Sequence, residues 1–218
     1  MKKYIWPVAI VLFVLLLDQW LKYWIKHNMV LGEEITMAGS WFYLHFVENN
    51  GMAFGLEFGG QTGKILLTVF RILLVIFGIY YLIKIIKKGE HNGFIVCVSL
   101  IIAGALGNII DSVFNAIWYP DLNEYTGSWF EGRVIDMLYF PIIKTDSFIF
   151  FSPVFNIADG AISTGVIAMI IFQNKFFQKE VVVEELLPEF LEDSSEDKND
   201  LNDTQDPSVT IEDKPITE

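Results

Sequence analysis

FSPVFNIADGAISTGVIAMIIF, residues 151–172, is an apolar run long enough to enter a bilayer, yet it carries Asn156 and Asp159 near its start. Three residues apart, the two side chains are expected on one face of a helix. A charged side chain at mid-membrane costs roughly 2.5–3.5 kcal/mol even on lenient insertion scales. Counting from the start of the run, Asp159 is expected about two turns in. Something in the fold must offset that cost.

The rest of the chain supports a membrane setting. Of 218 residues, 53% are hydrophobic and the mean hydropathy is +0.43, too apolar for a soluble domain of this size. The formal charge of −12 is carried by the end of the chain: residues 180–218 hold fourteen acids and two lysines, and the remainder is neutral. No basic patch argues for nucleic acid. Cys97 is alone, which excludes an intramolecular disulfide and a cysteine-based metal site. His27, His45 and His91 are scattered, with no HExxH spacing to suggest a zinc protease.

Four hydrophobic stretches suit a ~30 Å hydrocarbon core: about 5–25, 64–86, 94–113 and 153–173. The first follows Lys2 and Lys3 but lacks a small-x-small cleavage site and runs on into DQWLKYW, so it is an uncleaved span. With four spans, Lys2 and Lys3, then Lys84, Lys87 and Lys88, then Lys175 and Lys179 fall on one side. That side is expected to be cytoplasmic. Lys22 and Lys26 lie at the opposite end of span one, which implies a task other than setting topology.

The outward segments, about 27–63 and 114–152, contain WFYLHFV and RVIDMLYF, which read as strands. Trp20, Trp24, Trp41, Trp118 and Trp129 gather on or beside this side, as in an interfacial aromatic belt. The expected fold is an α-helical membrane protein: four transmembrane helices, a small extracytoplasmic β-sheet cradle, and an acidic disordered C-terminal tail. The membrane domain is expected at 1–179 and the cytoplasmic tail at 180–218.

Polar groups recur where lipid is expected. Asp18 and Lys22 stand at i and i+4 in span one, spaced for an ion pair. GALGNIID in span three puts Asn108 and Asp111 on one face, with Gly104 and Gly107 permitting close helix approach. Arg71 sits about two turns inside span two. In spans one, three and four the polar groups lie toward the outward end, at a shared depth that a bundle can gather into one pocket. Structural ion pairing and amide glue between helices remain open readings of the same residues.

The nucleophile inventory is thin, with no GxSxG, GxGD or GxSG motif, so paired carboxylates are the remaining candidates. Two carboxylates sharing one proton supply both the base that activates water and the acid that serves the leaving nitrogen. Asp136, in EGRVIDMLYFP just before the chain returns to the membrane, is the best partner for Asp159; Asp111 and Asp18 are its rivals. Competing readings are a transporter using the acids as a proton relay and a non-catalytic scaffold.

Taken in order, DQWLK, NNGMAF, GALGNIID, RVIDM and FNIAD resemble the blocks of the bacterial lipoprotein signal peptidases, the signal peptidase II family. The resemblance implies an intramembrane aspartic endopeptidase that removes the signal peptide from diacylglyceryl-modified prolipoproteins, cutting before the lipidated cysteine. It implies no metal and no cofactor, a multi-pass protein of the bacterial cytoplasmic (inner) membrane, both termini cytoplasmic, and a site toward the outer leaflet. A monomer is expected.

By the same match, Asp136 and Asp159 are the catalytic pair. Asp18, Lys22, Asn49, Gly51, Ala53, Phe54, Asn108, Asp111 and Asn156 fall in the family's boxes as substrate-binding or supporting residues. One position departs: the family box reads GNxxDR, and Ser112 stands where the arginine is usual. A long segment, residues 113–132, follows before RVIDM. Arg71 or Arg133 is expected to supply the missing guanidinium.

Overall fold

The computed structural model describes residues 2–50, 60–141, 143–145, 148–150 and 153–177. Gly51, Ala53 and Phe54 and the acidic stretch 180–218 lie outside the described residues.

Among the described residues, three helices are long and apolar enough to cross a bilayer: α1 (Lys2–Asn28), α2 (Gly60–Lys88) and α3 (Asn92–Trp118). Their limits follow from local chemistry. Gly89, at φ 76°, ends α2 in the left-handed conformation that a side chain disfavours. His91 then caps α3 by accepting a hydrogen bond from the Gly93 amide at 3.0 Å. Pro120, two residues past the end of α3, cannot continue it.

The helices differ in what covers them. Only 11% of the apolar window of α1 and 17% of that of α2 is buried, against 61% for α3. Helix α3 is thus the central element, and α1, α2 and the later α4 (Ile157–Ile171) each pack against it. Leu12, Phe13 and Leu16 on α1, and Leu73, Phe77 and Tyr80 on α2, face outward, as lipid-facing side chains do. Gly104 and Gly107 serve the close approach their spacing predicts. A β-carbon on Gly104 would lie 2.2 Å from the Ala158 carbonyl oxygen, and one on Gly107 2.7 Å from Asp18 Oδ2.

Between the helices lies a four-stranded antiparallel sheet, order β1-β2-β3-β6, formed by Glu34–Ala38, Phe42–Asn49, Val134–Tyr139 and Val154–Phe155. A separate hairpin pairs β4 (Ile143–Thr145) with β5 (Phe148–Phe150). Strands β2 and β3 are the two read from WFYLHFV and RVIDMLYF. They pair with Val47 opposite Asp136 and Asn49 opposite Val134, and an irregularity falls between Leu44 and Val47. Ile25 and Met29 at the end of α1 pack with Leu44, Phe46, Ile135 and Met137, fastening the sheet to the first helix. The five tryptophans expected at the interface are all more than a third exposed.

Segment 119–132 folds back along the end of α3. Gly132 donates to the Ser112 carbonyl at 3.0 Å and Phe130 to that of Val113 at 3.2 Å. Gly132 is required there, since a β-carbon would come within 2.1 Å of the Asp111 carbonyl oxygen.

Helix α4 begins later than the apolar run suggests. It has 15 residues, with Val154 and Phe155 in β6 and Asn156 as N-cap, before a short α5 (Gln173–Phe176). Asn156 and Asp159 therefore do not share a helix face two turns in. Asp159 stands in the first turn, at the mouth of the helix.

Candidate active site

The junction of β6 and α4 builds the site. Asn156 has extended dihedrals (φ −116°, ψ 179°), and its Oδ1 accepts the Asp159 amide at 2.9 Å. Asp159 Oδ2 accepts the Asn156 amide in return at 3.4 Å, a capping box with aspartate in the usual glutamate place. The helix start thereby fixes the Asp159 carboxylate, and the partial positive charge of the N-terminus favours an anion there.

The same asparagine reaches the other strand. Asn156 Nδ2 donates to Asp136 Oδ1 at 2.7 Å, and Asn49 Nδ2 on β2 donates to Asp136 Oδ2 at 3.2 Å. One side chain thus links Asp136 on β3 with Asp159 on α4. From α3, Asn108 Nδ2 donates to Asp159 Oδ1 at 2.7 Å, while its Oδ1 accepts from Asn156 Nδ2 at 3.1 Å.

Behind the asparagines lies a buried charge cluster. Lys22 Nζ is 2.8 Å from Asp18 and 2.7 Å from Asp111, and donates to Asn108 Oδ1 at 3.2 Å. Asp18 Oδ1 accepts the Ala158 amide at 2.9 Å, and Asp111 Oδ2 accepts the Ile135 amide at 3.2 Å. Each carboxylate therefore grips the backbone beside one candidate catalytic residue. Gln19, which the sequence did not single out, adds a bond to Asp111 at 3.0 Å.

Burial and charge act together on Asp136. The side chain is buried, and removal from water raises its carboxyl from the usual 3.8 to about 7. The neighbouring Asp159 charge pushes the same way, opposed by the Asn49 hydrogen bond, the Lys22 charge and the Asn156 hydrogen bond.

The two arginines go to different places. Arg71 lines a cavity of about 320 Å³ with Asn108 and Asp159 at its polar end and Leu74, Ile102 and Ala105 along its wall. It is close enough to Asp159 and Asp136 to interact with both charges. Arg133 turns away: its guanidinium lies over the Tyr125 ring at 4.3 Å, with Nη1 4.0 Å from Glu48 Oε2. At the position of the usual family arginine, buried Ser112 donates to the Asn108 carbonyl at 2.8 Å.

Further contacts lie outside the candidate set. Lys26 pairs with Glu48 in a buried bridge that ties the end of α1 to β2. Its spacing from Lys22, one helical turn on, was the available signal; the partner at position 48 carried none. Lys64 donates to the Glu131 carbonyl at 2.7 Å and to Asn50 Oδ1 at 3.2 Å, joining α2 to the returning segment and the end of β2. Gly51 lies outside the described residues. Among those described, no group of three or more His, Cys, Asp or Glu is arranged to hold a metal ion.

The family model for Signal peptidase (SPase) II matches residues 10–175. The chain is 43% identical to a lipoprotein signal peptidase of Porphyromonas gingivalis over 186 residues, covering 75% of this chain and 80% of that one. It is 35% identical to one from Amoebophilus asiaticus over 196 residues, covering 83% of each. A solved structure described as a bacterial membrane enzyme at 2.3 Å resolution superposes with a TM-score of 0.57 at 30% identity, over 80% of this chain and 92% of that one. A family model that matches most of the chain, with a relative 43% identical over 75% of it, shows the family: the chain belongs to the signal peptidase II family of lipoprotein-processing membrane peptidases.

Proposed function

We propose that Asp136 and Asp159 form an aspartic dyad that hydrolyses the bond before the lipidated cysteine of a diacylglyceryl-modified prolipoprotein. The observation that carries this reading is the Asn156 side chain, which bonds Asp136 through Nδ2 and the amide of Asp159 through Oδ1. In the cycle, Asp159 takes a proton from water as the water oxygen attacks the scissile carbonyl. Asp136, protonated below about pH 7, donates its proton to the carbonyl oxygen. Asp159 then passes its proton to the leaving nitrogen as the C–N bond breaks. Asp136 takes one back from a hydroxyl of the gem-diol as the carboxyl product forms, which returns the pair to one shared proton.

The supporting residues divide the remaining work. Asn49, Asn108 and Asn156 orient the carboxylates, Asp18, Lys22 and Asp111 brace the backbone behind them, and Gly51 is assigned to substrate binding by the family resemblance alone. Arg71, in the cavity wall beside Asp159, takes the role of the arginine replaced by Ser112, and Arg133 braces Glu48 instead. The apolar part of that cavity suits the hydrophobic stretch of a signal peptide. Alanine at Arg71 is expected to slow processing and alanine at Arg133 to leave it nearly intact; full processing by Arg71→Ala ends that assignment.

The chain spans the bacterial inner membrane four times. Helix α4 and α5 together cover residues 157–176, about 30 Å at 1.5 Å per residue. The lysine clusters put both termini in the cytoplasm and the dyad toward the outer leaflet, where acyl chains hold the substrate cysteine. Residues 1–179 act as a monomeric peptidase. Purified protein incubated with a diacylglyceryl-modified precursor tests the central reading. Asp136→Asn and Asp159→Asn should each abolish cleavage while the protein stays folded, and full cleavage by either variant refutes the dyad.

A further inference from the structure

We infer that Lys22 is a positioning residue for the reaction: its ammonium sets the direction of the Asn108 amide, so that Asn108 presents N–H and not oxygen to Asp159. The inference rests on the dyad reading above.

The argument is one of donors and acceptors. An ammonium has three N–H groups and accepts nothing. Lys22 Nζ faces Asp18 at 2.8 Å, Asp111 at 2.7 Å and Asn108 Oδ1 at 3.2 Å, so all three are engaged. Because Lys22 can only donate, the Asn108 atom facing it must be oxygen. The Nδ2 group is then turned to Asp159 Oδ1, 2.7 Å away.

Asn156 is fixed in the same sense by a different partner. Its Oδ1 receives the Asp159 amide, which can only donate, so its Nδ2 faces Asn108 Oδ1 and Asp136. Both asparagines thus hold their N–H groups toward the dyad, one directed by a charge on α1 and the other by the start of α4. A plain counter-ion for Asp18 and Asp111 would need no contact with Asn108. The third contact is what joins the cluster to the site.

The charge has a second reach. The groups that act on Asp136 are Asn49 on β2, Lys22 on α1, Arg71 on α2, Asn156 at the cap of α4 and Asp159 in its first turn. Lys22 is among those that hold its carboxyl down. Loss of the ammonium therefore releases Asp136 toward a higher value.

The test removes the ammonium while leaving the net charge of the cluster unchanged, with Asp18 still held by the Ala158 amide and the Gln19 side chain. In the full chain, Lys22→Met with Asp111→Asn removes one positive and one negative group, and the new amide oxygen still accepts from Ile135. This variant should fold, lose about 10²-fold in kcat with KM little changed, and keep activity to higher pH than the parent. Lys22→Gln with Asp111→Asn, which restores an N–H toward Asn108, should regain part of the rate. Wild-type cleavage and an unchanged pH profile in the methionine double variant overturn the inference.

Asn108→Asp supplies an independent arm if that double variant does not fold. It keeps an oxygen for Lys22 and removes the donor to Asp159, so it should lose cleavage while folding; wild-type cleavage again overturns the inference. Asp136→Asn and Asp159→Asn run in parallel separate the two failures. If they cleave, the dyad reading falls. If they do not and the Lys22 variants behave as wild type, only the positioning role falls.

Discussion

Gly104 and Ala158 meet so closely that a β-carbon on the glycine would lie 2.2 Å from the Ala158 carbonyl oxygen. Ala158 immediately precedes Asp159 and is fully buried, so this contact sets how near α4 stands to α3. Gly104→Ala must push the start of α4 outward and lengthen the bond from Asn108 to Asp159. We expect a loss of about 1–3 kcal/mol, typical of overpacking, together with a fall in cleavage rate. Unfolding in detergent and turnover of a lipidated precursor measure the two effects. Unchanged stability and rate would contradict the close packing.

The pH dependence follows from Asp136. With Asp136 as the proposed acid, kcat/KM should decline as pH rises through about 7. A rate profile on a precursor without ionisable groups near the cut isolates this limb. A profile flat from pH 6 to 9 would remove Asp136 as the acid.

Stability should run the same way. A carboxyl raised in the folded state contributes most below its ordinary value of 3.8, and that contribution is lost as pH rises through about 7. Asp136→Asn stays neutral throughout, so it should match the parent near pH 4 and exceed it at pH 8. The gain should be a few kcal/mol, at most about 4 at ~1.36 per pH unit. Unfolding curves at the two pH values give the comparison.

Asn49 supplies a test of opposite sign. Its 3.2 Å hydrogen bond favours the ionised form of Asp136 and holds the carboxyl down. Asn49→Ala should therefore move the alkaline limb of kcat/KM to higher pH. A shift to lower pH would mean that the bond serves the protonated acid instead.

The Lys26–Glu48 bridge joins α1 to the strand that carries Asn49. Both side chains are nearly inaccessible, so Lys26→Met should cost about 3–5 kcal/mol by leaving Glu48 buried without its closest cation. Arg133, 4.0 Å from the other Glu48 oxygen, keeps the loss toward the lower end. Lys26→Met with Glu48→Leu should recover most of it. A double-mutant cycle on unfolding free energies reads the coupling.

Much of this arrangement was legible in the chain. The i, i+4 spacing announced the Asp18–Lys22 pair, the three-residue spacing brought Asn108 and Asp111 to one side, and alternation gave β2 and β3. The start of α4 was misread because PVFNIADG passes from strand to helix without a break in hydropathy. Asn156 followed by Asp159 is the pattern of a cap, and reading it so would have placed the carboxylate in the first turn. The contacts of Lys64 with Asn50 and Glu131 and of Arg133 with Tyr125 were beyond reach. They depend on how segment 119–132 returns along α3, which no periodicity encodes.

Asn156 holds a strand with one end of its amide and a helix with the other. Membranes of unequal thickness make embedded helices lean by different amounts. With one clasp spanning the two elements, β3 is carried along when α4 leans, and the two acids keep their spacing. A change of lipid then alters how the substrate arrives sooner than it alters the chemistry that awaits it.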